Sequence, residues 1–393
     1  MTNEPQLSAT PQGSKRDEAP SCQLGADQLV ESKEYGRAQL RCTLLDLAVD
    51  LVFLSVMAFV IAAPLDRWLQ GYGLLAGRWT RLAAFFLSVF LLHAAVGFPF
   101  SFYTGFLLEH RYGLSRQTFL RWLRRYGLRF LLSFALGLCL VEGLFVVIYL
   151  TGAWWWVAAA AGVFLVSVVL GRLAPVLILP LFYKVERLDD ELLATRFQRL
   201  CTGTGLTIEG VYRMRMSSET AKANAMLAGL GRTRRVILSD TLLDSFTPDE
   251  IEVVFAHEVG HHVFGHLRKL LAAGLVLSIV SFLICDLSLR QYLPHVESGL
   301  DYGDLPVYSL SLMMLVVSVF SLVLSPLQNA ISRHFERQCD RYALDRTGRQ
   351  DAFRSAFTKL AALNKADPDP HPVEVVLFHD HPPIAQRIAL ADR

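Results

Sequence analysis

The chain has 393 residues, 53% of them hydrophobic and 19% charged, with 38 Lys and Arg against 36 Asp and Glu. A mean hydropathy of +0.36 exceeds what one soluble core needs and points to a membrane protein, while a formal net charge of +2 with no basic stripe leaves no footprint for nucleic acid. The six cysteines are scattered without CxxC spacing, which excludes a disulfide framework and predicts free thiols.

Residues 1–43 are polar and lack an apolar core, so they are predicted to form a flexible N-terminal tail and not a cleaved signal peptide. Apolar runs over residues 44–65, 82–108, 130–150 and 154–181 predict a membrane domain over 44–182. Two more runs follow at about 270–289 and 307–328. Each is about 20 residues or longer, enough for a helix to cross ~30 Å of hydrocarbon, giving about six transmembrane helices. An even count puts the tail, residues 183–269 and the C-terminus on one side. The loop after the second run carries Arg111, Arg116, Arg121, Arg124, Arg125 and Arg129, whereas the loop between the last two runs pairs Arg290 with Glu297, Asp301 and Asp304. The positive-inside rule makes the shared side cytoplasmic. Glu142 and Arg172 fall inside the third and fourth runs, where they either pair with each other or face a hydrated chamber. Asp46 and Asp50 sit near the cytoplasmic end of the first run.

Between the membrane-length runs, a short helix is expected over residues 189–201. A strand follows over 207–216, then two more segments around a Gly231–Arg232 turn, which together make a small sheet. Next comes an unusually clear helix start: Thr247 as N-cap, Pro248 in the first turn and Glu250 as the capping-box acid. The helix then runs through HEVGHHVFGH at residues 257–266. Residues four apart share a helix face, so His257 and His261 present two imidazoles to one point, and Glu258 lies beside the open position where it can take a proton from water. His266 stands five residues past His261 and does not fit a three-histidine pattern. His262 and His266 are expected to be surface groups or supports behind the ligands.

A third ligand is sought in SRHFERQCDRYALD, the predicted cytoplasmic continuation of the last span. Glu336 would complete a His₂Glu site with water in the fourth position, and Asp340, four residues on, would orient a ligand histidine. Two alternatives stay open: the acids pair with neighbouring arginines on a solvated face, or Cys339 offers a thiolate. Farther on, DPDPHP at 367–372 reads as a loop.

HEVGHH, SRHFERQCDRYA and HPPIAQR at 381–387 resemble, in this order, the three signatures of the M48 zinc metallopeptidases. FLLEHRYGLSRQT at 106–118 and PLFYKVERLDDELL at 180–193 resemble the CAAX prenyl endopeptidase branch, with HtpX-type enzymes as more distant relatives. The resemblance implies an α-helical multi-pass membrane protein with a small cytoplasmic α+β zincin domain of the gluzincin type, within an M48-like peptidase domain over 183–393 that includes the spans at about 270–289 and 307–328. It implies one Zn²⁺ per chain held by His257, His261 and Glu336, with Glu258 as general base and Asp340 behind the ligands. It further implies that His381 and Arg387 stand near the developing oxyanion, and that Asn224 and Ala225 lie on an edge strand where a peptide substrate adds. Two features differ from the branch: six spans in place of its usual seven, and Tyr183 where it carries asparagine. The function expected is hydrolysis of membrane-associated or CAAX-type peptides in the lipid bilayer. The alternatives are quality-control proteolysis of membrane proteins and a non-catalytic scaffold with a degenerate metal site.

Overall fold

Order begins well before the first apolar run. The computed structural model describes residues 24–229, 234–293 and 301–392, and its first helix, α1, spans Ala26–Val56. The flexible tail expected over 1–43 is therefore corrected from residue 26 onward; residues 1–23 lie outside the described residues. The cause is tertiary contact, to which a hydropathy reading is blind. Tyr35 is buried edge-on against Tyr112 at 5.3 Å and donates to Glu109 Oε1 at 2.5 Å, while Lys222 reaches the same carboxylate at 2.9 Å. Glu31 pairs with Lys365, tying α1 to the C-terminal part of the chain.

A π-helical segment, Met57–Ile61, carries α1 into α2 (Ala62–Gln70). Then follow α3 (Arg78–Phe102), a second π segment and α4 (Glu109–Arg111). Next come α5 (Phe119–Thr151), α6 (Trp155–Leu173), a third π segment and α7 (Leu179–Phe182). Among the described residues five continuous helical stretches are long and apolar enough to cross a membrane: Ala26–Gln70, Arg78–Arg111, Phe119–Phe182, His266–Tyr292 and Ser309–Thr347. The expected six differ only in the third stretch. At 64 residues it would be about 96 Å long if straight, three times the ~30 Å hydrocarbon core. Its backbone breaks at Gly152, where φ is 54° and ψ −129°, a conformation open to glycine and foreign to a helix. Phe145 and Ile148 before the break share a buried cluster with Trp155 and Ala159 after it. Glu142 and Arg172 form no ion pair with each other among the described residues: α6 buries Trp155, Ala159 and Ala160 and leaves Arg172 exposed. Asp50 instead meets His93 Nε2 at 2.7 Å.

The chain next forms β1 (Lys184–Arg187), a strand not expected from the sequence, and α8 (Glu191–Cys201). β2 (Gly210–Arg215), β3 (Ala225–Ala228) and β4 (Arg235–Ser239) complete a sheet of order β1-β2-β4-β3. β2 and β4 run parallel; β1 and β3 are antiparallel edge strands. Gly231 and Arg232, the expected turn, lie outside the described residues. The short α9 (Asp240–Ser245) leads to α10 (Pro248–Val263), the histidine helix. α11 (His266–Tyr292) and α12 (Ser309–Thr347) follow, then α13 (Gln350–Asn364), α14 (Pro372–Phe378) and α15 (Ile384–Ile388). A core of Phe197, Val236, Leu238, Val253, Phe255 and Phe353 packs the sheet, α8, α10 and α13 together.

α12 is the link between membrane and site, because one helix of 39 residues carries both an apolar half and Glu336. Pro326 lies inside it and cannot donate to the carbonyl four residues earlier. Ser325 Oγ donates to that carbonyl, Leu322 O, at 3.0 Å, so the helix continues through the proline without an orphan acceptor.

Candidate metal centre

The start of α10 is capped in both directions: Thr247 Oγ1 accepts from Glu250 N at 3.3 Å, and Glu250 Oε2 accepts from Thr247 N at 2.7 Å. Beyond the first turn the helix buries residues on every side, among them Ile251, Val253, Phe255, Ala256 and Val259. This is the mark of a helix enclosed by other elements. Gly260 fixes the closest of these contacts. A Cβ placed there would lie 3.1 Å from Cys339 Cα and 3.2 Å from its Sγ, so only glycine lets α10 and α12 approach this closely.

That approach brings the ligand candidates together. His257 Nε2 and His261 Nε2 are 3.3 Å apart, and each lies 3.2 Å from a carboxylate oxygen of Glu336. Ligands at the usual 2.0–2.1 Å from a tetrahedral ion are separated by about 3.3 Å, so the three edges fit one metal. Glu336 Oε2 is buried with no hydrogen-bond partner, as expected of an oxygen reserved for an ion. The sequence alternative in which Glu336 and Asp340 merely pair on a solvated face does not hold, since both are buried.

The hydrogen bonds behind the histidines set their tautomers. Asp340 Oδ1 accepts from His257 Nδ1 at 2.9 Å, leaving the Nε2 lone pair free. On the other side His266 Nε2 donates to Gln338 Oε1 at 3.0 Å, so His266 Nδ1 accepts from His261 Nδ1 at 3.2 Å and again frees Nε2. Helical spacing did not single out Gln338 and left His266 open between a surface place and a support behind the ligands. Their available signal is Gly265: at φ 64° it ends α10 and restarts the chain as α11, folding His266 back under the site.

Cys339 approaches from behind. Its Sγ lies 3.6 Å from His266 Nδ1, on the Nδ1 side of His261, and burial raises its thiol pKa. Its sulfur is within reach of the two histidines as a three-residue group, but it does not share the Nε2 face that Glu336 occupies.

Arg387, expected near the developing oxyanion, is anchored on Asp340. Its guanidinium is buried and committed to Asp340, with Nε donating to Oδ2 at 2.9 Å and Nη2 to Oδ1 at 2.6 Å, and it stacks 4.0 Å over Phe357. It comes no nearer to Glu336 Oε2 than 3.7 Å. This bidentate pair uses Nε and Nη2, and Nη2 also lies 3.3 Å from His257 Nδ1, so Arg387 holds Asp340 and through it His257. His381, by contrast, is exposed and its Nε2 stands 3.5 Å from Glu336 Oε2. Asp380, bonded to its Nδ1 at 2.8 Å, holds its pKa above the ordinary histidine value.

At His257 burial opposes the charged imidazole, but the neighbouring carboxylates of Asp340 and Glu336 outweigh it and raise the pKa to about 9 in the bare protein. Glu258 follows His257 and is half-buried. Asn224 and Ala225 open the edge strand: Asn224 O accepts from Ser239 N at 2.9 Å and β3 begins at Ala225. His262 bonds Arg234 at 2.8 Å, and His371 caps α14; both stand apart from the ligands.

The model of peptidase family M48 matches residues 187–393, and that of the CAAX prenyl protease N-terminal domain, described as five membrane helices, matches residues 17–184. The chain is 26% identical over 395 residues to a protein named uncharacterized metalloprotease YhfN of Bacillus subtilis (strain 168), covering 98% of this chain and 91% of that one. It is 27% identical over 302 residues to a CAAX prenyl protease 1 homolog of Arabidopsis thaliana, at 75% and 69% coverage. It is also 27% identical over 321 residues to CAAX prenyl protease 1 of Saccharomyces cerevisiae, at 77% and 70%. The crystal structure of S. mikatae Ste24p shares the fold, with a TM-score of 0.81 over 94% of this chain and 89% of that chain at 21% identity. With the metal-binding geometry enclosed in that fold, the chain belongs to peptidase family M48 and is a Ste24-like membrane metalloendopeptidase.

Proposed function

We propose that the protein hydrolyses peptide bonds of membrane-associated or CAAX-type substrates at a zinc site held by His257, His261 and Glu336. The observation that carries this reading is the convergence of two Nε2 atoms and one carboxylate at 3.2–3.3 Å. Bound there, the ion would polarise the scissile carbonyl and acidify a water. Glu258 accepts the proton of the attacking water and passes it to the leaving amine. His381, exposed at the mouth and biased toward its protonated form by Asp380, donates to the oxygen on which negative charge develops. A substrate strand adds along β3 beginning at Asn224 and Ala225, whose outer edge carries no neighbouring strand in the sheet.

Six crossings follow if Gly152 is a hairpin between α5 and α6, and the arginine-rich loops then put the catalytic domain in the cytoplasm. The names of the plant and yeast relatives favour a CAAX-type substrate over general quality control. Two experiments test the proposal. Glu258→Gln should keep its metal and lose cleavage; retained cleavage would sink the mechanism. Purified protein offered a prenylated CAAX-type peptide, the same peptide unmodified and a misfolded membrane protein, each with and without chelator, should cleave the first best. Preference for the misfolded protein would favour quality control.

A further inference from the structure

We infer that the seam between the membrane domain and the catalytic domain holds a binding site for the phosphate of an anionic phospholipid. A cavity of about 380 Å³ opens there, lined on one side by Arg121, Arg124, Arg125 and Leu128 and on the other by Leu181 and Phe182, with Ser218 and the carboxylate-bearing Glu219 completing its wall. The four α5 residues follow the i, i+3, i+4, i+7 spacing of one helix face, so three guanidinium groups stand together above an apolar floor.

Only part of this charge is used within the protein. Arg125 pairs with Glu219 at 2.9 Å and donates to Phe182 O at 3.0 Å. Arg121 donates to Ser218 O at 3.4 Å. Arg124 is exposed and meets no carboxylate among the described residues. Three arginines thus face one acid. The surroundings suit a bilayer interface: Leu120 and Leu181 are exposed beside the cavity. Guanidinium groups fork onto phosphate oxygens, and the leucines would lie along the first methylenes of the acyl chains. Basic pockets between membrane helices bind such headgroups.

The position gives the lipid a consequence. Glu219 O accepts from Arg116 N at 2.9 Å, Arg116 Nη1 donates to Ser217 O at 3.1 Å, and Ala221 N donates to Leu114 O at 2.9 Å. This loop joins the two domains and runs directly into β3, the edge strand. A headgroup bound on Arg121 and Arg124 therefore braces the junction from the membrane side.

The test uses the full chain in nanodiscs of phosphatidylcholine with or without phosphatidylglycerol, with co-purifying lipid measured by native mass spectrometry. Phosphatidylglycerol should be retained over phosphatidylcholine, and Arg124→Glu should lower its retention by about fivefold or more. Arg187→Gln, on an exposed arginine of β1, should leave it unchanged. Because Arg124 is exposed and meets no carboxylate among the described residues, its replacement should leave folding intact, which a thermal melt checks. Equal retention of the two lipids, or retention unaffected by Arg124→Glu, would overturn the inference. So would displacement by millimolar inorganic phosphate with no lipid preference, which would identify a free-anion site.

Discussion

Replacing Asp340 by Asn separates the two duties of a fully buried carboxylate. Asp340 accepts three hydrogen bonds, from His257 Nδ1 at 2.9 Å and from Arg387 at 2.9 and 2.6 Å. Asn supplies one oxygen and an NH₂ group, so at least one donor would face another donor. Losing the charge also strands the Arg387 guanidinium in a site where it is only 7% exposed, and breaking a buried pair in this way costs about 3–5 kcal/mol. Losing the orientation of His257 should weaken metal binding by roughly 10–100-fold. The assay is a metal titration against a competing chelator, paired with a thermal melt. Adding Arg387→Met to Asp340→Asn removes both charges, so it should recover much of the stability while metal binding stays weak. Wild-type metal affinity in Asp340→Asn would refute the idea that this carboxylate acts through His257.

The pH dependence of metal binding should follow from His257. Its pKa is raised to about 9 in the bare protein, above the ordinary ~6.5, so its proton stabilises the metal-free fold below pH ~6.5 and this contribution is lost as the pH rises through 9. A metal must expel that proton, so the apparent Kd should rise by up to about tenfold per unit as the pH falls below 9; a flat profile would contradict the assignment. Cys339→Ala should leave metal content unchanged, because the sulfur lies behind the Nε2 face; a loss of metal would promote it to ligand. Gly260→Ala would push a methyl to 3.1 Å from Cys339 Cα and should destabilise the protein by about 1–3 kcal/mol while lowering metal affinity, both measurable in one titrated melt.

The proximity of His257 and His261, the proposed ligands, was legible because helical spacing is local: four residues separate them whatever the rest of the chain does. Glu336 was legible only because the apolar run before it demanded a helix that continues past the membrane. Helix starts with strong chemistry, such as Thr247 with Glu250, read correctly. What stayed hidden depends on distant partners. Tyr35 orders α1 through Glu109 and Lys222, residues no window around it contains. β1 is four residues at the sheet edge, paired only with β2, too short for a periodic signal. The tie of Arg387 to Asp340 was not legible, because a motif names residues without saying which way they point. Its partner Asp340 is 47 positions away.

The order of the ligands along the chain has a consequence for biosynthesis. His257 and His261 leave the ribosome before α11 and α12, Glu336 after most of α12, and Arg387 almost at the end. A nascent chain therefore has half of the proposed metal site until α11 and α12 have been made and docked, and Asp340 lacks its counter-ion until Arg387 has been made. Under the proposed ligand assignment, hydrolysis waits until α12 has joined α10, so the order of synthesis itself delays activity.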